Sequence, residues 1–151
     1  MSKGRGKLNE FLLAKGYHSI KLKKTVTNHF ELKVKINNIK GRFILDTGAS
    51  NSCVGFDDIE SFHLKTQESE HKASGAGTTE IDTLISKKNK LTIGDFKLKN
   101  AALILIDLKH INKALVKQKV KPVQGIIGAD ILHKGKAIID YKKKKLYLKF
   151  K

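Results

Sequence analysis

The chain has 151 residues and a mass of 16.9 kDa, which is the size of one domain, and its 40% of hydrophobic residues is enough for a core. Its single cysteine excludes an internal disulfide framework and a cysteine-built zinc site. No apolar run reaches the roughly 18 residues of a membrane-spanning helix, and the start of the chain lacks the apolar region of a signal peptide. We therefore expect a soluble, cytoplasmic protein that has no membrane partner.

The chain is strongly basic, with 31 Lys and Arg against 14 Asp and Glu and a formal net charge of +17. Such a charge usually indicates binding to nucleic acid, to anionic surfaces or to acidic substrates. The lysines are nevertheless scattered, and their short clusters at 87–90 and 142–145 fall where we predict turns. The pattern is more typical of a solvated, lysine-rich surface, and nucleic-acid binding is the less favoured interpretation.

The first part of the chain predicts a short helix followed by two strands. An amphipathic pattern from Leu8 to Lys15 stops at Gly16, a residue type that often ends helices. Residues 30–36 alternate between apolar and charged, which predicts a strand with one buried and one solvated face. Its predicted buried residues are Phe30, Leu32, Val34 and Ile36, and its predicted solvated residues are Glu31, Lys33 and Lys35. A turn is predicted at Asn37-Asn38, before a buried strand over 43–45.

The rest of the chain also favours strands joined by turns. Residues 60–80 are polar and predict a loop or a hairpin tip. The remaining predictions are a hairpin over 91–98 that turns at Gly94-Asp95, a buried strand over 101–106, a basic helix or irregular loop over 108–119, a strand over 125–128, a helical turn over 129–133, and a final hairpin of strands 137–141 and 146–150. We conclude that the chain is one mostly-β domain.

The most informative motif is Asp46-Thr47-Gly48, directly after the apolar strand 43–45. A carboxylate at the end of a buried strand needs hydrogen-bond partners, and burial would raise its pKa. Thr47 offers a hydroxyl that can anchor the loop, and Gly48 allows a close backbone approach. As a bare tripeptide the motif is weak, because it is also common in turns that cap strands.

Two further segments strengthen the motif. The first is Gly125-Ile126-Ile127-Gly128, which leads into Ala129-Asp130-Ile131-Leu132, and the second is the Gly75-Ala76-Gly77 loop between the two. Taken in their order along the chain, the three segments resemble those of the retropepsin-like aspartic proteases, over roughly residues 30–150. The resemblance implies a closed, acid-protease-like β barrel of one retropepsin lobe, with a glycine-containing flap hairpin and one or two short helices. It divides the chain into an N-terminal extension, 1–28, with a short helix and an edge strand, and a protease domain, 29–151.

The resemblance also implies an aspartic endopeptidase that uses water as the nucleophile, with no metal and no cofactor. Aspartic proteolysis needs two carboxylates that share one proton. Because the chain has one Asp-Thr-Gly motif, we expect a homodimer in which the Asp46 residues of the two copies together form the dyad. In the carried-over roles, Thr47 and Gly48 support the catalytic loop, and Ile126, Ile127 and Gly128 form the structural second motif. A peptide or protein substrate is expected to contact Gly48, Ala49, Ser50, Gly75, Ala76 and Gly77.

Several alternatives stay open. Ser50 is equally well interpreted as a turn cap, Cys53 is interpreted as a small buried residue rather than a nucleophile, and no histidine spacing indicates a metal site at His63 or His71. Asp130 and Asp140 are expected to be structural, because neither is followed by Thr-Gly. The second hypothesis for function is an inactive or latent binding module of the same fold, with a basic surface for nucleic acid or an acidic partner.

Overall fold

The computed structural model describes residues 6–73 and 81–150, and its secondary structure is mostly β. The helices are α1 (Lys7–Ala14), α2 (Lys109–Lys117) and α3 (Ala129–Lys134), and a 3-10 turn covers Phe56–Asp58. The strands are β1 (Tyr17–Lys21), β2 (Lys23–Lys24), β3 (Phe30–Ile36), β4 (Ile39–Leu45), β5 (Cys53–Gly55), β6 (Gln67–Ala73), β7 (Ile81–Ile93), β8 (Phe96–Ile106), β9 (Gly125–Ile127), β10 (Ile138–Asp140) and β11 (Lys145–Lys149).

Six of these strands form a closed barrel in the order β3-β4-β9-β5-β8-β7. The ring closes because β7 also pairs with β3, where Lys35 lies opposite Thr92 and Ile36 opposite Leu91. Strands β2 and β6 extend the sheet on either side of the closure. The predicted mostly-β fold with a closed barrel is therefore confirmed.

The alternation that predicted β3 fills the barrel, with one exception. Its apolar residues are buried and contribute to the main core, and Lys33 and Lys35 are exposed. Glu31, predicted to be solvated, is instead buried at 6% exposure. Its Oε1 atom lies 3.1 Å from the Arg42 Nε atom on β4, and this ion pair compensates for the removal of the carboxylate from water.

The predicted tight turns lie where the local sequence placed them. Asn37 and Asn38 have positive φ values of 51° and 71° and connect β3 to β4, and Gly94 (φ 57°) connects β7 to β8. Both connections have two residues, as expected for turns that match the twist of a hairpin. The lysine cluster at 142–145 lies in and next to the turn between β10 and β11, as predicted.

Two other expectations were wrong. Residues 87–90 do not form a turn, because β7 runs through them with irregular register, and Asn89 is buried with its Nδ2 atom 3.0 Å from Ser86 Oγ. The expected loop or hairpin tip over 60–80 is wrong for residues 67–73, which form strand β6 and pair in antiparallel with β7; residues 74–80, between the two strands, lie outside the described residues. The ambiguous segment 108–119 contains helix α2, whose Leu115 packs in a second apolar cluster with Ile44.

A separate sheet of order β1-β11-β10 joins the two ends of the chain. Helix α1 is followed by Gly16 at φ 92°, and the chain then enters β1. The Tyr147 hydroxyl donates to Asn9 Oδ1 at 2.8 Å, which links β11 to α1. The division of the chain at residue 28 stays a prediction. Among the described residues, no helix has the length and apolar character needed to cross a membrane.

Candidate active site

The Asp46 loop begins where β4 leaves the barrel between two neighbouring strands. Leu45 lies opposite Phe30 of β3 on one side and pairs in parallel with Ile127 of β9 on the other. The Asp46 N–H then donates to the Ile127 carbonyl oxygen at 2.9 Å. The start of the loop is therefore held by backbone pairing, which leaves the Asp46 side chain free for other contacts.

The loop folds back over the Asp46 carboxylate. Asp46 Oδ1 accepts a hydrogen bond from the Gly48 N–H at 2.9 Å, and the Ala49 N–H donates to the Asp46 carbonyl oxygen at 3.2 Å. A Cβ atom at Gly48 would lie 3.3 Å from Asp46 Oδ1, so the glycine leaves room for this short turn. One carboxylate oxygen is thus oriented by the backbone.

The loop lies on the surface of the single chain. Asp46, Thr47, Gly48 and Ser50 are exposed, and Ala49 is half-buried. An exposed carboxylate keeps its hydration in the isolated chain, and a water molecule and a second charged group can both reach it. Chemically, the arrangement offers one oriented carboxylate on an open surface.

The second motif lies directly behind this loop. Ile126 and Ile127 are buried in β9, which lies between β4 and β5, and Gly128 follows at the point where the backbone of residues 49–51 passes. The Ala129 N–H donates to the Ala49 carbonyl oxygen at 2.7 Å. A Cβ atom at Gly128 would lie 2.5 Å from that same oxygen, so only glycine allows the two loops to approach this closely.

Ser52 and Asp130 connect the two loops through a contact that no local sequence pattern predicted. Ser52 is fully buried, and its Oγ atom donates to Asp130 Oδ1 at 2.7 Å and accepts from the Gly128 N–H at 2.8 Å. Asp130 Oδ1 also accepts from the N–H groups of Ser52 and Ile131 at 3.0 and 2.8 Å. Asp130 therefore has the structural role expected of it, and it acts through Ser52.

Two side chains further along the chain position β9. Asn112 of α2 donates from Nδ2 to the Val123 carbonyl oxygen at 3.0 Å and accepts from the Val123 N–H at 2.7 Å. Gln124 Oε1 accepts from the Arg42 N–H at 2.6 Å, which attaches the approach to β9 to strand β4. The sequence indicates a role for neither residue, because the contacts of each are made with residues that are distant along the chain.

Cys53 lies near the loop and is unreactive as a nucleophile. It is half-buried, and its Sγ atom donates to the Asn51 carbonyl oxygen at 3.3 Å. Burial, reinforced by the negative charges of Asp130 and Asp46, raises the pKa of the Cys53 thiol to about 11. Because the thiolate is the nucleophilic form, Cys53 is a poor nucleophile at neutral pH, in agreement with its interpretation as a small packed residue.

An open groove borders the loop on the side of the small sheet. Its cavity volume is about 430 Å³, and Thr47 forms part of its wall. The other wall residues come from α3 and from the segment that leads into and through β10; they include Leu132, His133, Ala137 and Ile139. The groove is mainly apolar, with Thr47, His133 and Lys136 as its polar side chains.

Comparison with known protein families identifies the family to which the chain belongs. The family model described as Aspartyl protease matches residues 32–131, which include the Asp46 loop, β9 and the first residues of α3. The chain belongs to the aspartyl protease family. No curated protein sequence matches the chain.

Solved structures show that this family member has a retropepsin-like fold. A retropepsin-like aspartic protease from Rickettsia conorii is similar with a TM-score of 0.58 at 19% identity, covering 89% of this chain and 90% of that one. The retroviral protease-like domain of Ddi1 from Leishmania major has a TM-score of 0.51 at 16% identity, covering 80% and 92%. The EIAV protease in complex with the inhibitor HBY-793 has a TM-score of 0.49 at 18% identity, covering 74% and 91%.

Two of the three segments that carry the resemblance therefore meet in this aspartyl protease fold. The Asp46 loop and the Ile126-Ile127-Gly128 segment are hydrogen-bonded neighbours, although they are far apart in sequence. The third segment, with Gly75, Ala76 and Gly77, lies outside the described residues, between β6 and β7.

Proposed function

We propose that the protein is an aspartic endopeptidase that is active as a homodimer, with the Asp46 carboxylates of the two copies as its catalytic dyad. The observation that carries the proposal is the exposed Asp46 carboxylate, oriented by the Gly48 N–H, in a chain with one Asp-Thr-Gly sequence. Membership of the aspartyl protease family supports the reaction class. A second copy supplies the second carboxylate, and a two-fold axis is the simplest symmetry that brings two identical loops together.

The chemistry follows from two carboxylates that share one proton. The ionised carboxylate takes a proton from a water molecule as the water oxygen attacks the carbonyl carbon of the peptide bond. The protonated carboxylic acid gives its proton to the carbonyl oxygen, which produces a tetrahedral diol. The carboxyl group that took the water proton then gives it to the amide nitrogen, and the other carboxylate takes a proton from a diol hydroxyl as the carbon–nitrogen bond breaks. The products are a carboxylic acid and an amine, and the dyad again holds one proton.

The neighbouring residues have supporting roles in this proposal. Thr47 holds the two loops together across the axis, and Gly48, Ala49 and Ser50 contact the backbone of an extended peptide or protein substrate. Gly75, Ala76 and Gly77 form a flap that covers the substrate and excludes water. The substrate binds mainly through its main chain, as an added strand.

We further propose that the second copy docks at the groove beside Thr47. Within the described part of the chain, β10 pairs with β11 only, so its other edge has unpaired backbone groups. An unpaired strand edge is a ready template for a strand of another chain. Ile139 of β10 and Thr47 both line the groove, which puts this edge next to the loop that the second copy has to reach.

The substitution Asp46→Asn tests the function directly. It keeps the size of the side chain and an oxygen acceptor for the Gly48 N–H, but it removes the ionisable group. Cleavage of an unfolded protein substrate, followed by gel electrophoresis and mass spectrometry between pH 4 and pH 7, is expected to fall by a factor of about 10²–10⁴, the usual contribution of a general acid–base group.

The matched control is Asp57→Asn, which changes another exposed carboxylate in the 3-10 turn and is expected to keep full activity. Circular dichroism and sedimentation of both variants are expected to match those of the unmodified protein. Full activity in Asp46→Asn would disprove the proposal. An unmodified protein that cleaves nothing at any pH tested, or whose cleavage a pepstatin-type inhibitor does not reduce, would also disprove it.

A further inference from the structure

The fold brings lysines from the two ends of the chain close to one another. Strand β1 pairs with β11 so that Lys21 lies opposite Lys145, and the Leu22 N–H donates to the Lys144 carbonyl oxygen at 3.0 Å. Strand β2 continues directly from β1 along the edge of β3. We call the resulting group the lysine surface; its members are Lys21, Lys23, Lys24, Lys142, Lys143, Lys144 and Lys145.

Among the described residues, no acid forms an ion pair with these lysines, although Asp140 lies opposite Lys145 in the sheet. All of its lysines are exposed except Lys145, which is half-buried. The nearby Glu31 carboxylate is buried and paired with Arg42, and Asp140 Oδ1 accepts from the Lys143 backbone N–H at 3.0 Å. Among the described residues, the ion pairs are Arg42–Glu31 and His18–Asp95, so the lysine surface takes part in none of them. Seven lysine charges against the one carboxylate of Asp140 leave this region positively charged, which favours a polyanionic partner.

An exposed aromatic ring lies next to these charges. Tyr141 begins the turn that carries the lysines and is 73% exposed. Its ring packs edge-on against Phe30, with 5.0 Å between the ring centroids. Because Phe30 lies opposite Lys24 in the pairing of β2 with β3, this contact holds the Tyr141 ring beside the lysines. The ring is thus fixed at one side and open to solvent over most of its surface.

We propose that the lysine surface binds single-stranded nucleic acid, with phosphates bound by the lysines and one base stacked on Tyr141. Lysine ammonium groups bind phosphates as point charges, and base–aromatic stacking tolerates any sequence. An acidic polypeptide would satisfy the charges but would have no use for an exposed ring. The inference goes beyond the proposed protease activity and does not depend on it.

Fluorescence anisotropy with a labelled 12-nucleotide oligo(dT) tests the proposal on the full chain. The surface variant carries Lys21→Gln, Lys142→Gln, Lys143→Gln and Lys144→Gln. The matched control removes the same charge elsewhere, with Lys87→Gln, Lys90→Gln, Lys97→Gln and Lys99→Gln on β7 and β8. Each change keeps the Cβ atom, so the positive φ of Lys144 (56°) is not a new source of strain.

We expect the surface variant to bind the oligonucleotide at least tenfold more weakly. The negative slope of log K against log salt is expected to become shallower by about 2–3, because each lost phosphate contact removes about 0.7 from its magnitude. The control is expected to lose less than threefold. Tyr141→Leu keeps an apolar contact with Phe30 and is expected to lose at least about fivefold with an unchanged salt slope, since stacking is not ionic.

Three results would overturn the proposal. Equal losses in the surface variant and the control would mean that net charge alone attracts the oligonucleotide. Unchanged binding by Tyr141→Leu would show that no base stacks on Tyr141, and it would leave no reason to prefer single strands. Binding of a labelled poly-glutamate peptide of equal charge as tightly as oligo(dT) would identify an acidic polypeptide as the partner.

Discussion

At the level of single residues, the candidate active site depends on contacts between backbone groups that side chains make possible. Ser52 and Asp130 are 78 positions apart, and their 2.7 Å hydrogen bond fixes the second motif behind the Asp46 loop. Asp130 belongs to the segment after the second motif and was expected to be structural, but no local pattern indicates that Ser52 is its partner. The sequence could predict Asp46, Thr47 and Gly48 because three adjacent residues carry that chemistry, whereas a contact across the fold becomes visible only in three dimensions.

Gly128→Ala tests the close approach of the two loops. The added Cβ atom would lie 2.5 Å from the Ala49 carbonyl oxygen and 3.0 Å from that of Asn51, and both are backbone atoms that cannot rotate away. We expect the loops to separate and the free energy of unfolding to fall by about 1–3 kcal/mol, as for other overpacked sites. Urea unfolding followed by circular dichroism measures this loss.

The control for this substitution is Gly6→Ala, where an added Cβ atom meets nothing within 4 Å. Gly6 precedes helix α1, so a change confined to the first turn of α1 is expected, with a loss below about 1 kcal/mol. Equal stability of Gly128→Ala and the unmodified protein would show that the two loops are not held as closely as the structure has them.

At the level of helices and strands, the accuracy of the sequence predictions depends on how local their causes are. The hairpin turns at Asn37-Asn38 and Gly94-Asp95 were predicted because their residues tolerate positive φ, a property of the residues themselves. Strand β7 was predicted incorrectly over 87–90, because its continuation depends on pairing with β8 and on the buried Asn89 side chain. The polar segment β6 likewise forms a strand because it pairs with β7, a cause that its own sequence does not show.

The edge of β10 that has no partner strand among the described residues makes a prediction about the proposed dimer. Ile139→Lys puts a charged group into the apolar groove beside Thr47, and a second copy that docks there would have to remove this charge from water. We expect the dissociation constant of the dimer to rise at least tenfold and peptidase activity to fall in parallel at low protein concentration. Sedimentation equilibrium and a substrate-cleavage assay at matched concentrations measure both effects.

Two further variants separate docking from folding. Ile139→Val keeps an apolar, β-branched residue at the edge, so the dimer and its activity should persist. Ile111→Lys adds the same charge on helix α2, where Ile111 is 38% exposed, and should leave association unchanged. If Ile139→Lys remains as dimeric as the unmodified protein and keeps a native circular dichroism spectrum, the copies do not meet at this groove.

At the level of the whole molecule, the two sheets contribute different features. The barrel carries the Asp46 loop and the second motif, whereas the small sheet joins the chain ends and contributes the edge of β10. The lysine surface spans both sheets, because Lys23 and Lys24 belong to β2, which pairs with β3. The composition predicted a basic protein but could not predict this surface, because its lysines come from residues 21–24 and from residues 142–145. Pairing of β1 with β11 creates it.

The net charge predicts that salt strengthens the proposed dimer. Each copy carries a formal charge of +17, so two copies repel each other, and the range of this repulsion shrinks from about 10 Å at 0.1 M salt to about 3 Å at 1 M. Sedimentation should therefore show a dissociation constant that falls as sodium chloride rises, whereas oligonucleotide binding should weaken over the same range. The Lys→Gln surface variant lowers the charge of each copy by four, so its dimer should depend less on salt. Association that does not change with salt would mean that the charges of the two copies lie too far apart to repel.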